Sequence, residues 1–168
     1  PQKRRDTQKQ GNPMPQPFTS TLMPIKPEWI DFNGHLNMAY YNVLFDVACD
    51  EVYETIGFGP GYQKTGFTTY VAEFHVCYLQ ELKLGDEVRV TFQVVGFDEK
   101  RIHTYQEIWH RDGWCAATAE GMVLHVDQSG PKVAPMPQHI LDQIKHHHTP
   151  LKDMPDEARV GRRIGLTR

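Results

Sequence analysis

Long apolar runs are missing from this 168-residue chain. No stretch approaches the roughly 18 consecutive apolar residues that a membrane-spanning helix requires. The first 17 residues carry charge but no apolar h-region, so no signal peptide is read there. Cysteine is scarce: Cys49, Cys77 and Cys115 are an odd number and lie far apart. That excludes a disulfide framework and a zinc knuckle, and leaves buried core thiols in a reducing, cytoplasmic-type compartment. Positive charge is thin in the body of the chain, where residues 10–151 hold 9 basic and 17 acidic groups, a net of −8. Such a body repels phosphate backbones, which argues against nucleic acid as a partner. Residues 1–9 are net +3 and residues 152–168 net +2, and both read as solubilising tails.

What is present is ordinary globular material, 39% hydrophobic and 23% charged, in one domain's length. Residues 1–17, with Gly11, Pro13, Pro15 and Pro17, read as a disordered leader, with Met14 an alternative start. Residues 18–150 are the expected domain, ending in a short helix over 137–146, and residues 151–168 a loose tail. His146, His147 and His148 are too short a run to argue for metal.

Residues 18–30 read as extended, with Pro24 and Pro27 confining them to an edge or a bulged strand. Residues 38–56 read as one long helix: Tyr41, Phe45, Ala48, Val52 and Ile56 form an apolar line that Tyr40, Leu44 and Val47 widen. A face so wide predicts a helix wrapped on most sides. The period then changes to two. Strands are expected over 67–80, 87–97, 101–111 and 114–127, with turn signals at Gly85-Asp86, 97–100 and Asp112-Gly113. The expected fold is α+β: a strongly curved antiparallel sheet wrapped around one long central helix.

This order, with Asp31-Phe32-Asn33-Gly34-His35-Leu36-Asn37 directly before the helix, resembles the hotdog fold. Within it the chain resembles the 4-hydroxybenzoyl-CoA-type branch of acyl-CoA thioesterases, whose turn into the central helix reads Asp-x-x-Gly-His, a small apolar residue, then Asn. Asp31, Gly34, His35, Leu36, Asn37 and the following Tyr41 fit, and Tyr78 through Gly85-Asp86 matches a second family segment. The resemblance covers residues 18–128. The segments Tyr70-Val71-Ala72-Glu73-Phe74-His75 and Tyr78-Leu79-Gln80-Glu81 look like those of betainyl-CoA thioesterases of carnitine and choline breakdown. Asp31, Asn33, His35 and Asn37 also share the Asp-x-Asn-x-His-x-Asn spacing of plant-type acyl-carrier-protein thioesterases. The founding 4-hydroxybenzoyl-CoA enzyme lacks the His, which puts a mechanism resting on a single Asp in doubt.

The resemblance implies hydrolysis of an acyl-CoA thioester with no cofactor and no metal, in a homodimer or a homotetramer with its site between chains. A thioester needs a base or nucleophile, donors for the developing oxyanion and a slot for the acyl group. Asp31 is the first candidate for base or nucleophile, because the helix that follows favours its ionised form. The N–H groups around Leu36, Asn37 and Met38 are candidate oxyanion donors, with Gly34 allowing close approach. Asn33, His35 and Glu73 complete the catalytic candidates. Each also has a plainer reading: Asn33 a turn residue, His35 a structural histidine, Asn37 a helix cap, Glu73 a surface or interface carboxylate, Asp31 a turn former. Trp29, Tyr40, Tyr41 and Tyr70 are candidate aromatic contacts for the acyl group, a quaternary ammonium in the betainyl case. A dehydratase or hydratase on a thioester, using His35 with Glu73, and a non-catalytic acyl-CoA-binding protein remain as alternatives.

Overall fold

The computed structural model describes residues 16–166. The expected leader therefore lies almost wholly outside the described residues. The chain forms short strands β1 (Phe18–Thr19) and β2 (Met23–Pro24), helix α1 (Met38–Ile56) and long strands β3 (Phe67–Tyr78), β4 (Glu87–Phe97), β5 (Arg101–His110) and β6 (Cys115–Asp127). A short β7 (Lys132–Val133) and helix α2 (Gln138–His146) follow.

Helix α1 has the bounds its pattern predicts. Asn37 caps it, its side chain accepting the Ala39 N–H at 3.0 Å, and Gly57 ends it, donating to the Tyr53 carbonyl. Tyr41, Leu44, Phe45, Ala48, Val52 and Ile56 are its buried face. The neighbouring apolar pair Val94 and Val95 breaks strict alternation because the β4–β5 register shifts between Val94 and Gly96, so both side chains are buried.

The sheet runs β1-β4-β5-β6-β3, all long pairings antiparallel, with β2 on β4 and β7 on β6. This corrects the expected architecture. The sheet is open: β3 ends one side, β1 and β2 the other, and among the described residues no ladder joins them. It is neither strongly curled nor closed, and among the described residues two helices, α1 and the expected short α2, share its cover in place of one central helix wrapped by it. The physical reason lies in how the apolar surface is shared. The first half of α1 packs Leu44, Phe45 and Ala48 against Val88, Val90, Ile108, Ala117 and Ala119. The second half packs Val52 and Ile56 with Phe92, Val94, Ile102 and Val123, and α2 adds Ile140 and Ile144 to that cluster. Helix α1 is covered on one side only, and Asn42, Val43, Asp46, Val47 and Asp50 stay exposed.

Residues 158–161 lie along the sheet, where the Arg159 N–H donates to the Tyr105 hydroxyl at 3.1 Å and the Gly161 N–H to the Glu120 carboxylate at 2.7 Å.

Candidate active site

The connection into α1 is a closed loop. Ile30 and Leu36 form an antiparallel bridge, and the Asp31 N–H donates to the His35 carbonyl at 2.9 Å. The Asp31 carboxylate accepts the Asn33 N–H at 2.8 Å, and the Gly34 N–H donates to the Asp31 carbonyl at 3.0 Å. Gly34 turns the chain with φ of 80°, a conformation that other residues rarely adopt. The loop thus sets Asp31 and His35 opposite each other at its base.

The segment after β3 seals one side. The Leu36 N–H donates to the Leu82 carbonyl at 2.7 Å, and His35 Nε2 lies 3.0 Å from Glu81 Oε2. Tyr41, on the first turn of α1, donates from its hydroxyl to the Gln80 carbonyl at 3.3 Å and accepts the Leu82 N–H at 3.2 Å. The Tyr78 hydroxyl donates to the Met38 carbonyl at 3.3 Å. Burial raises both phenol pKa values, so both stay protonated donors.

Between these walls lies a cleft of about 320 Å³, lined by Asp31, His35, Leu36, Met38, Tyr41 and Tyr78 together with residues 79–81. Five expected site residues are therefore brought together. The others stand elsewhere. Asn33 and Gly34 are exposed on the outside of the loop, and Asn37 caps α1. Trp29 stacks on Tyr40 with centroids 5.5 Å apart, and Lys26 Nζ sits 4.9 Å from the Trp29 ring centroid. Tyr70 is exposed on β3. Glu73 is on the other face of the sheet: Phe74 and Val76 turn toward the core, so Glu73 and His75 turn away from it. There they line a separate cavity of about 300 Å³ with His103 and Glu120.

The expected oxyanion donors are narrowed by the hydrogen bonds. The Leu36 N–H is taken by Leu82 and the Asn37 N–H by the Trp29 carbonyl at 3.0 Å. Of the three, only the Met38 N–H is left without an acceptor among the described residues. It lies at the first position of the helix, and Met38 is one of the residues that line the cleft.

Four cleft residues were not among the expected site residues: Tyr78, Leu79, Gln80 and Glu81. Their signal lay in the second motif, Tyr78 through Glu81, which marks a family segment but does not say that it folds onto the Asp31 loop. Among the described residues no three His, Cys, Asp or Glu side chains gather as a metal site, and no helix is long and apolar enough to cross a membrane. Burial pushes the Cys49 and Cys115 thiols up to about 12 and about 11, far from the range of a thiolate nucleophile.

The chain is 34% identical to a betainyl-CoA thioesterase of Pseudomonas aeruginosa over 155 residues, covering 91% of this chain and 98% of that protein. It is 36% identical to an L-carnitine dehydrogenase/betainyl-CoA thioesterase of Rhizobium meliloti, over 86% of this chain but only 29% of that longer protein. In structure it is similar to a Staphylococcus aureus protein solved in complex with CoA, with a TM-score of 0.82 and 27% identity over 94% of this chain and 99% of that one. Residues 25–144 match the thioesterase-like superfamily. The chain belongs to that superfamily, a hotdog-fold family whose members are directed at acyl thioesters.

Proposed function

We propose that this protein hydrolyses an acyl-CoA thioester carrying a small polar acyl group, betainyl above all, to free acid and CoA. The observation that carries the reading is the meeting of Asp31, His35 and Met38, the first residue of α1, on one cleft. Asp31 Oδ1 is held by Asn33, which fixes the carboxylate and leaves its second oxygen for the reaction. Asp31 acts as base, taking a proton from the attacking water, or as nucleophile, forming an anhydride that water then opens. The carbonyl oxygen becomes an oxyanion and is met by the Met38 N–H; as it collapses the C–S bond breaks and CoA leaves as the thiolate, which takes up the proton that Asp31 removed from water or, in the nucleophilic case, one from solvent. His35, held by Glu81, faces the same space. The CoA-bound relative supports CoA as the carrier, and the two betainyl-CoA relatives support the acyl group.

The working unit in this reading is a homodimer in which a second copy joins along β3. That strand ends the sheet, and Tyr70, Val71 and Phe74 are exposed on it, a surface a lone chain leaves to water. Across such an interface the partner's surface completes the cleft.

The test is CoA-thiol release from betainyl-CoA, short straight-chain, aromatic and long-chain acyl-CoAs. The expected result is release, fastest from betainyl-CoA, lost in Asp31→Asn. A new double bond or hydroxyl in place of thiol overturns hydrolysis in favour of a dehydratase or hydratase. Binding of acyl-CoA with no turnover overturns it in favour of a binding protein.

A further inference from the structure

The cleft carries charge of one sign. Its ionisable lining is Asp31, His35 and Glu81, with the phenols of Tyr41 and Tyr78. Among the described residues, no lysine or arginine lines it. Two carboxylates against one imidazole leave the cleft negative whether or not His35 is protonated. Glu81 keeps 65% of its side chain exposed while touching His35, so its charge reaches the open cleft. Tyr78 is 45% exposed and is buttressed by Tyr41, ring centroids 5.1 Å apart at 83°, which fixes its plane. An aromatic surface and a carboxylate side by side make up the usual receptor for a cation that cannot donate hydrogen bonds. Of the four aromatic residues expected for this role, Tyr41 is the buttress, Tyr70 is exposed on β3, and the other two are committed elsewhere: Trp29 is stacked on Tyr40 and already holds Lys26.

We propose that Glu81 and Tyr78 recognise a fixed positive charge on the acyl group, Glu81 as counter-ion and Tyr78 as aromatic wall. The inference rests on the hydrolase reading only in placing the acyl group in this cleft. An anionic acyl group is repelled there, and a neutral group of the same shape gains nothing from the charge.

Two non-hydrolysable CoA thioethers test this apart from catalysis. One carries a 2-(trimethylammonio)ethyl group on sulfur, the other the uncharged 3,3-dimethylbutyl group of the same shape. Binding of each to the full chain is measured by calorimetry at low salt. The cationic ligand is expected to bind about tenfold tighter, a preference that shrinks at least threefold in Glu81→Gln and in Tyr78→Leu. Glu81→Gln keeps an acceptor for His35 and isolates the charge. Glu99→Gln, exposed in the hairpin between β4 and β5, retains the preference. Equal binding of the two ligands, or a preference that both cleft variants leave intact, overturns the proposal. Thiol release without charge preference overturns this inference and keeps the hydrolase reading. Charge preference in binding without thiol release from betainyl-CoA does the reverse.

Discussion

His35 Nε2 and Glu81 Oε2 lie 3.0 Å apart, and one residue further along both segments the Leu36 N–H meets the Leu82 carbonyl at 2.7 Å. The two contacts stitch the loop before α1 to the segment after β3. A backbone bond beside a side-chain contact fixes register as well as distance, so the cleft has a built wall and not a loose flap. Tyr41 adds a third stitch through Gln80 and Leu82. The pair itself is half exposed, and its worth lies in placement more than in stability.

Asp31→Asn separates chemistry from architecture. The amide oxygen still accepts the Asn33 N–H, so the loop keeps its shape. It no longer accepts a proton or attacks a carbonyl. Thiol release is expected to fall by about 10²- to 10⁴-fold, with acyl-CoA binding and Tm close to wild type. Turnover at the wild-type rate in this variant sinks the assignment of Asp31.

Asn37→Ala acts on the helix start. It removes the acceptor of the Ala39 N–H and costs about 1 kcal/mol of stability, read as a lower urea midpoint with an unchanged slope. Asn37→Ser should recover most of the loss, because Ser caps as well as Asn. If Ala and Ser are equally damaging, the cap is not what Asn37 contributes.

Alkaline stability follows the buried thiol. Burial first, and the Asp46 charge second, push the pKa of Cys49 from its ordinary 9.0 up to about 12. The unfolded chain ionises this thiol at the lower value and the folded chain only at the higher. The contribution is therefore intact below about pH 9 and is lost as pH rises through about 12. Tyr53, Tyr105 and Cys115 are shifted upward too, so Cys49→Ala should flatten the alkaline fall without abolishing it. Denaturant midpoints from about pH 8 to about pH 12 measure this. Identical slopes for wild type and variant count against the buried thiol.

Much of this was legible from local pattern. The apolar line through Tyr41, Phe45, Ala48, Val52 and Ile56 placed α1 at its observed bounds, and period-two runs placed the four long strands within a few residues. Asp31, Gly34 and His35 marked the loop because turn chemistry is written in adjacent residues. The shape of the sheet was not legible. Whether it curls around a helix depends on how many elements share its apolar face, and α2, recognised as a short helix, was not recognised as the second cover carrying Ile140 and Ile144. The place of Glu81 in the cleft was hidden for a related reason: a contact between residues 35 and 81 belongs to the tertiary fold and leaves no periodic trace.

The β3 edge carries the last prediction. Val71 is 60% exposed there, beside Tyr70 and Phe74, and the β3–β6 register shifts between Val71 and Glu73. A shift of that kind bends the strand locally, and because β3 ends the sheet its outer hydrogen-bonding edge meets no other strand among the described residues. An exposed apolar edge strand pairs with another edge unless charge prevents it, and this one has its apolar residues where a protective lysine would stand. A two-fold axis at β3 would set each such edge against its copy, so one added charge faces its own image across the interface. Val71→Lys is therefore expected to convert a dimer to a monomer, seen as a halved mass by light scattering at the same concentration. Thiol release should fall with the dimer, since the partner's surface completes the cleft in this reading. A wild-type chain that is already monomeric at working concentration, or a Val71→Lys variant that stays dimeric, removes β3 as the interface.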